Sequence, residues 1–387
     1  MTNVPPVAEV SSAELARALE AGDPLQLVDV RAPARVQAGR IELGPDAMFH
    51  NIVGSQLIKH TSISRTGIDP EIPVAVICGV GNDSRVIAHH LKGLGCDARS
   101  LTGGMSAWMR LTVPRELDPP PSLDRAIQFD RLGKGALGYL LISDGEAVII
   151  DPPRDASAYV KLLHESDAKL VAVADTHVHA DYISGAADLA QSHGVPYCLH
   201  PADAMYPYDG TPGRIEFEAL ASGKTIKFGR SYLHTVHTPG HTEGSCTYII
   251  DDSFAFTGDF LFIQSVGRPD LAGKTEEWTL RLWESIDSAR RSWSPDTLVH
   301  PGHYATDAER RDDRTLGERF GILLQENEPL SIQGRDGFVD WVNKRSGSFP
   351  EAYRTIKAIN IGLVRVSEAQ AEELEVGKNE CALAGSS

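Results

Sequence analysis

Four apolar runs in this chain each stop at a histidine or an aspartate, and no other feature limits the possible folds so much. Leu170-Val171-Ala172-Val173-Ala174 leads into Thr176-His177-Val178-His179-Ala180-Asp181-Tyr182-Ile183-Ser184-Gly185. Tyr232-Leu233-His234-Thr235-Val236 precedes Thr238-Pro239-Gly240-His241-Thr242-Glu243-Gly244-Ser245. Ser253-Phe254-Ala255-Phe256 leads to Thr257-Gly258-Asp259, and Thr297-Leu298-Val299 to His300-Pro301-Gly302-His303-Tyr304. Short apolar runs bounded by turn residues read as buried strands. Strand ends are where α/β folds collect their chemistry. Neutral imidazole and carboxylate are ordinary ligands of zinc or iron. One His-x-His pair is common in polar loops; four strand ends, each closing on ligand-type residues, point to a metal centre.

The remaining composition excludes several classes. The 387 residues accommodate two or three domains. Hydrophobic content of 42% and charged content of 23% are those of an ordinary globular protein. No apolar stretch approaches the length of a membrane span, so no membrane role is expected. Met1-Thr2-Asn3-Val4-Pro5-Pro6 has neither the basic nor the apolar region of a secretion signal. A formal net charge of -16 argues against a nucleic-acid surface. Cysteines 78, 96, 198, 246 and 381 form no CxxC pair or framework, which suggests a reducing cytoplasm.

Residues 1–115 read as one small α/β domain. Ser11-Ser12-Ala13-Glu14 is a capping-box pattern, and the helix it opens stops near Gly22. Leu25-Gln26-Leu27-Val28-Asp29-Val30-Arg31 reads as a strand ending in a charged turn. Val74-Ala75-Val76-Ile77 reads as a second strand that runs into Cys78-Gly79-Val80-Gly81-Asn82-Asp83-Ser84-Arg85. Val86, Ile87, Leu91 and Leu94 then mark a helix face, with Ser84 as its expected N-cap. Loop N–H groups beside a helix N-terminus stabilise an anion, whether a thiolate, an attached sulfur or sulfite oxygens. A cysteine in this loop is therefore a candidate sulfur nucleophile; Cys96, outside it, reads as a packing residue.

Together with that loop, Asp29-Val30-Arg31, Gly39-Arg40-Ile41 and Leu101-Thr102-Gly103-Gly104-Met105-Ser106-Ala107-Trp108 resemble a rhodanese domain over roughly residues 8–113. The resemblance implies that Cys78 carries sulfane sulfur as a persulfide. The loop departs from the family where arginines are usual: Asp83 stands there, the nearest base is Arg85, and Arg40 replaces a usual histidine. Thiosulfate is accordingly expected to be a poor donor.

Arg115-Glu116-Leu117-Asp118-Pro119-Pro120-Pro121-Ser122 reads as an extended, semi-rigid spacer, with the linker assigned to residues 116–124. The second domain, residues 125–335, opens with a hairpin signal. Gly138-Tyr139-Leu140-Leu141-Ile142 and Ala147-Val148-Ile149-Ile150-Asp151 flank an Asp144-Gly145 turn. Helices are expected over 156–165 and 186–193. Periodicity alone gives mixed α/β. The His-x-His-x-Asp run, TPGHTxGS, the TGD turn and the late Gly-His are similar to the ordered metal motifs of the metallo-β-lactamase superfamily over roughly residues 126–304. That resemblance implies an αββα sandwich. Residues 336–387 are expected to form a helical extension and tail, with Cys381 as a tail thiol.

Dinuclear members of that superfamily follow the Asp of this motif with a histidine; here Tyr182 stands in its place. The resemblance then implies one metal held by His177, His241 and Asp259, two imidazoles and one carboxylate, the pattern of non-haem Fe(II) oxygenases. His179, Asp181, Tyr182, His303 and Tyr304 are expected around it, His179 being a direct ligand in zinc relatives and a neighbouring donor in the iron branch. Gly267-Arg268-Pro269-Asp270 after the metal Asp resembles the persulfide dioxygenase branch. It implies that Arg268 holds a carboxylate of a glutathione-like substrate; the residue-level alternative is an ion pair with Asp270.

The expectation is a fusion in which one Fe(II) per chain, with Zn as a substitute, oxidises a thiol persulfide with O2 to sulfite. Cys78 would move sulfane sulfur between persulfide or thiosulfate and sulfite. The partners are these small molecules, with no nucleic acid or membrane, and a homodimer is common among similar enzymes. The alternatives are a Zn-dependent glyoxalase II-like thioester hydrolase and a non-catalytic sulfur carrier or sensor.

Overall fold

The computed structural model describes residues 7–42 and 47–383. The leader reading made on residues 1–6 lies outside them. The chain divides into two compact units. One comprises Met1–Val113, Arg131–Lys134 and Val376–Lys378, the other Pro114–Asp130, Gly135–Glu375 and Asn379–Ser387. No helix among the described residues is long and apolar enough to cross a membrane.

The first unit is built on a parallel sheet in the order Glu9–Val10, Ala98–Leu101, Val74–Ile77, Leu25–Asp29, Ala47–Asn51. Its central strand Val74–Ile77 is buried throughout, as a strand covered on both faces must be. Val28, Val76, Ile87 and Leu91 pack on one face; Leu27, Ala75, Leu15 and Leu19 pack on the other. The capping box at Ser11 forms as expected, and the helix Ser12–Ala21 stops at Gly22 in the left-handed region.

In the second unit two sheets face each other. The first runs Glu218–Ala219, Tyr197–Leu199, Lys169–Ala174, Glu146–Ile150, Ala136–Ser143, Arg125–Arg131, Val113–Leu117. The second runs Thr225–Phe228, Ser231–His237, Cys246–Ile250, Phe254–Gly258, Leu298–Pro301, Glu318–Arg319. Successive side chains in a strand point to opposite faces. Tyr139, Leu141, Val148 and Ile150 therefore meet Phe228, Leu233, Tyr248 and Phe256 between the sheets. Leu140, Ile142 and Ile149 turn outward onto the helices Ser157–Glu165 and Ala186–His193. Helix Thr275–Ser292 covers the other sheet through Leu282 and Ile286, packed with Val299, Phe320 and Phe338. This is the αββα sandwich. The expected hairpin turn is present, with Asp144 and Gly145 both at positive φ, the geometry that suits the strand twist.

Two expectations change. The proposed spacer is partly a strand: Val113–Leu117 is the edge of the seven-stranded sheet, leaving only the proline run without regular structure. Of the described residues beyond 335, all but Val376–Lys378 belong to the second unit. Helices Arg335–Asn343, Ala352–Asn360 and Glu368–Leu374 are amphipathic, and Phe338, Ile356 and Ala371 are buried in its clusters.

Candidate metal centre

Strand Lys169–Ala174 ends at Asp175, and the chain then turns through Thr176 and His177 into an irregular loop. Strand Glu146–Ile150 ends beside it at Asp151, which sits at φ +51, a strained conformation for a residue with a side chain. Its carboxylate accepts from the Thr176 N–H at 2.7 Å and the Thr176 hydroxyl at 2.8 Å. Thr176 Oγ1 in turn lies 3.0 Å from His177 Nδ1. The Thr257-Gly258-Asp259 turn closes on the same threonine. Gly258 has φ +51, and a Cβ there would lie 2.2 Å from Thr176 Oγ1, so no larger residue fits.

The result is a convergence of three fully buried side chains. Asp259 Oδ2 lies 3.6 Å from His177 Nε2 and 3.4 Å from His241 Nε2. None of these three atoms has a hydrogen-bond partner. Buried polar atoms left in that state are rare. Three ligands each about 2.1 Å from one cation lie about 3.0–3.4 Å apart, so the residues fit a shared metal ion. The other ring atom of each histidine is fixed, His177 Nδ1 by Thr176 and His241 Nδ1 by the Arg268 carbonyl at 3.0 Å. Such contacts orient metal-binding imidazoles. Burial pulls both histidines down, His177 well below its ordinary value with help from His179, and His241 to about 4. Both are neutral and ready to ligate.

His303 and Asp181 flank this cluster. His303 Nδ1 lies 2.6 Å from Asp259 Oδ1, and Nε2 lies 3.0 Å from Asp181 Oδ2. Burial opposes a charge on His303, but the two carboxylates, Asp259 first, raise its pKa to about 10. Burial likewise works against the Asp259 carboxylate, and His303 holds its pKa below the ordinary value. Cys381, with Asp181 and His303, forms a second group whose ligand atoms lie within 4.8 Å of one another. The tail-thiol reading is thus corrected. Residues 381–383 lie along the loop after Asp259, with the Arg268 N–H donating to the Cys381 carbonyl, and Cys381 is fully buried.

His179 stacks on Tyr182 at 4.2 Å, and its Nε2 lies 2.9 Å from the Tyr182 hydroxyl and 3.2 Å from Asp151 Oδ1. Burial works against charge on His179, and the Asp151 carboxylate outweighs it. Its Nδ1 is buried without a hydrogen-bond partner, in a ring centred 4.3 Å from that of His177. Tyr182 therefore binds the motif's second histidine from where a metal-binding histidine would stand.

Two expected roles are overturned. Arg268 is 6% exposed, and its guanidinium is spent within the protein. It pairs with both oxygens of Asp270 and donates to the carbonyls of Gly347, Ser348 and Glu380. These internal bonds engage every nitrogen of the guanidinium, and its contribution to the centre is the carbonyl that orients His241. Tyr304 does not reach the cluster. Its hydroxyl donates to Asp130 and accepts from Arg310, both held in a buried ion-pair group with Arg115.

Sequence reading missed the residues that hold the motif loops together. Asp203 accepts from the Val178 N–H at 2.7 Å, the Thr242 hydroxyl at 2.8 Å and the Gly244 N–H at 2.6 Å. One carboxylate thereby joins the His177 and His241 loops. Asn360 donates to the carbonyls of His179 and Tyr182 and accepts from the Ser184 N–H, and Glu375 accepts from the Ile183 N–H. Isolated Asp, Asn and Glu residues carry no local pattern that announces these contacts.

In the first unit, Cys78 lies at the end of its strand and is 3% exposed. Its Sγ accepts from the Gly81 N–H at 3.1 Å and lies 3.2 Å from Ser84 Oγ, which is 2.8 Å from Ser100 Oγ. The helix Asn82–Gly93 is capped by Gly81, not Ser84. Gly81 has φ +87, which turns the chain back over the sulfur, so Ser84 falls in the first helical turn facing it. Gly79, Val80, Asn82, Asp83 and Arg85 are exposed around this pocket, and Arg85 is paired with Glu9.

The αββα sandwich, with two histidines and an aspartate converging at its strand ends, defines a metal-binding protein of the metallo-β-lactamase class. Residues 134–309 match the metallo-beta-lactamase superfamily and residues 11–111 match the rhodanese-like domain. The chain is 33% identical over 190 residues to persulfide dioxygenase ETHE1, mitochondrial, of Homo sapiens, an overlap covering 47% of this chain and 69% of that protein. It is 34% identical over 168 residues to a hydroxyacylglutathione hydrolase of Acidiphilium cryptum, covering 43% and 64%. A metallo-beta-lactamase structure from Staphylococcus aureus superposes with a TM-score of 0.54 at 27% identity, covering 63% of this chain and 74% of the other. The chain belongs to the persulfide dioxygenase family of the metallo-β-lactamase superfamily and is an enzyme with an added rhodanese, sulfurtransferase-type domain.

Proposed function

We propose that the second unit oxidises a low-molecular-weight thiol persulfide, with glutathione persulfide the favoured form, to sulfite and the free thiol. It would use one Fe(II) held by His177, His241 and Asp259, with zinc able to occupy the same ligands. Cys78 would move sulfane sulfur between persulfide or thiosulfate and sulfite. The reaction balances when the terminal sulfur gains both atoms of dioxygen and one oxygen from water, the S–S bond breaks, and the thiol leaves with two protons released. The iron, when bound, would supply a Lewis acid for the persulfide sulfur and the electrons that activate dioxygen. The chain's own part is to keep both imidazoles neutral, fix their rings through Thr176 and the Arg268 carbonyl, and exclude bulk water from a fully buried cluster. Asp259 would ligate through Oδ2 while Oδ1 stays on His303.

The observation that carries this reading is the convergence of three partnerless buried atoms, two imidazole and one carboxylate, in a chain with persulfide dioxygenase relatives. A second reading, Zn-dependent thioester hydrolysis, is favoured by the identity to a hydroxyacylglutathione hydrolase. It is disfavoured by Tyr182, whose hydroxyl is committed to His179 where a dinuclear site needs an imidazole. The test is O2 consumption by Fe(II)-loaded protein given glutathione persulfide, with metal analysis of the same sample. Uptake that tracks iron and yields sulfite is expected, and Cys78→Ser should abolish sulfur transfer while sparing uptake. No uptake with any persulfide at full iron occupancy, together with hydrolysis of S-lactoylglutathione by the zinc form, would establish the second reading. If uptake and transfer fall together in the Cys78 variant, the two chemistries are not separable as proposed.

A further inference from the structure

A cavity of about 400 Å3 abuts the metal-motif loops. Val178, between His177 and His179, and Thr242, next to His241, form part of its wall; Met205, Tyr206 and Trp278 make much of the rest apolar. A different element supplies its inner cation. Helix Ala352–Asn360 brings Lys357 into the lining, and this residue is only 2% exposed.

The Lys357 ammonium has three hydrogens to donate. Among the described residues its one hydrogen bond is a long one, 3.4 Å to the Val178 carbonyl, and no carboxylate lies within ion-pair distance. The acids of the cavity wall are already committed. Asp203 already accepts from Val178, Thr242 and Gly244, while Glu243 and Glu277 both pair with Arg281. Burial pulls the Lys357 pKa down, and Asp203, then Cys381, Asp259 and Asp181, act to hold it up. The helix is pinned in place: Asn360 is bonded to the His179 and Tyr182 carbonyls, and Ile356 packs on Ile183. A buried ammonium with uncommitted donors, held rigidly against a cavity, is suited to an anion that enters from outside.

We propose that Lys357 is the anion-binding residue of this cavity, and that its ammonium receives the charged sulfur end of the ligand, whether persulfide anion or sulfur oxyanion. The depth of the residue selects the reacting end, since it lies against the loops that carry the metal cluster. A carboxylate at the far end of the ligand meets Lys274, an exposed cation at the cavity rim that has no ion-pair partner among the described residues. The ligand's identity rests on the persulfide reading; its charge rests on Lys357 alone.

The experiment compares metal-loaded full-length wild type, Lys357→Gln and Lys357→Arg, measuring sulfite binding by calorimetry, metal content, and KM and kcat for glutathione persulfide. Lys357→Gln should keep its metal and bind sulfite about 10- to 100-fold more weakly, as loss of a charged hydrogen bond implies. KM should rise, and Lys357→Arg should recover part of the loss. Unchanged sulfite affinity and KM in a folded, metal-loaded Lys357→Gln protein would overturn the proposal, as would a wild type that binds no sulfite. A wild type that binds sulfite but consumes no O2 would sink the dioxygenase reading and leave the Lys357 comparison intact. Should the variants not fold, wild-type crystals soaked in sulfite decide. A sulfite oxygen within hydrogen-bond distance of Lys357 Nζ supports the proposal, and sulfite elsewhere, or none, refutes it.

Discussion

Replacing Asp203 with Asn separates a structural carboxylate from a metal ligand. Both oxygens of Asp203 accept, one from the Gly244 N–H and the other from the Val178 N–H and Thr242 hydroxyl. An asparagine has one accepting oxygen and one donating nitrogen. Either orientation sets that nitrogen against at least one backbone N–H in a site 6% exposed. An unsatisfied buried donor costs about 1–3 kcal/mol, and the remaining bonds lose their charge assistance, so a loss of about 2–4 kcal/mol is expected. The second effect is specific. Val178 lies between two motif histidines, and Thr242 follows the third. Loosening both loops should weaken metal binding by about 10- to 100-fold, the usual effect of removing a residue that orients ligands. Urea denaturation of the metal-free protein and competition with a chelator for the metal-loaded form measure the two separately. Wild-type stability and metal affinity in the Asn variant would refute the account of Asp203 as the tie between the loops.

Two further outcomes follow from the geometry. Arg268→Ala leaves Asp270 buried without its guanidinium and should lower stability by about 3–5 kcal/mol; a rise in KM with unchanged stability would restore the substrate role that the structure removes. In the metal-free protein His303 has its pKa raised to about 10 from an ordinary 6.5, so its stabilisation is full below about pH 6.5 and is lost as pH climbs toward about 10. Denaturant midpoints of metal-free protein should fall across that window, and His303→Gln should flatten the trend; the same slope in both proteins would show that another group is responsible.

The candidate ligand residues were legible because each motif is local. A strand end, a glycine turn and the next imidazole sit within a few residues, so His177, His241 and Asp259 could be picked out and the structure brings them together. The hairpin at Asp144-Gly145 and the capping box at Ser11 were legible for the same reason. Arg268 and Tyr304 were misread because the partners that claim them are distant in sequence. Asp270 and the carbonyls of Gly347, Ser348 and Glu380 hold Arg268, and Asp130 lies across the chain from Tyr304. Ser84 was misplaced by a few residues, since whether Gly81 or Ser84 caps the helix depends on how the loop folds over Cys78.

By itself the sequence determined a mixed α/β chain, the order of the strands' closing motifs and which side chains have the chemistry to hold a metal, because period and spacing encode these locally; the two domain types followed from the resemblance those motifs carry. Tertiary structure alone decided the rest. It showed that one carboxylate of Asp203 joins two motif loops, that Cys381 returns from the chain's end to lie beside Asp181 and His303, and that Lys357 lines the cavity with donors to spare. A hydrogen bond between residues far apart in sequence exists only after hydrophobic burial has brought their elements together. Nothing in the local pattern of an isolated Asp, Cys or Lys announces which partner that burial will supply.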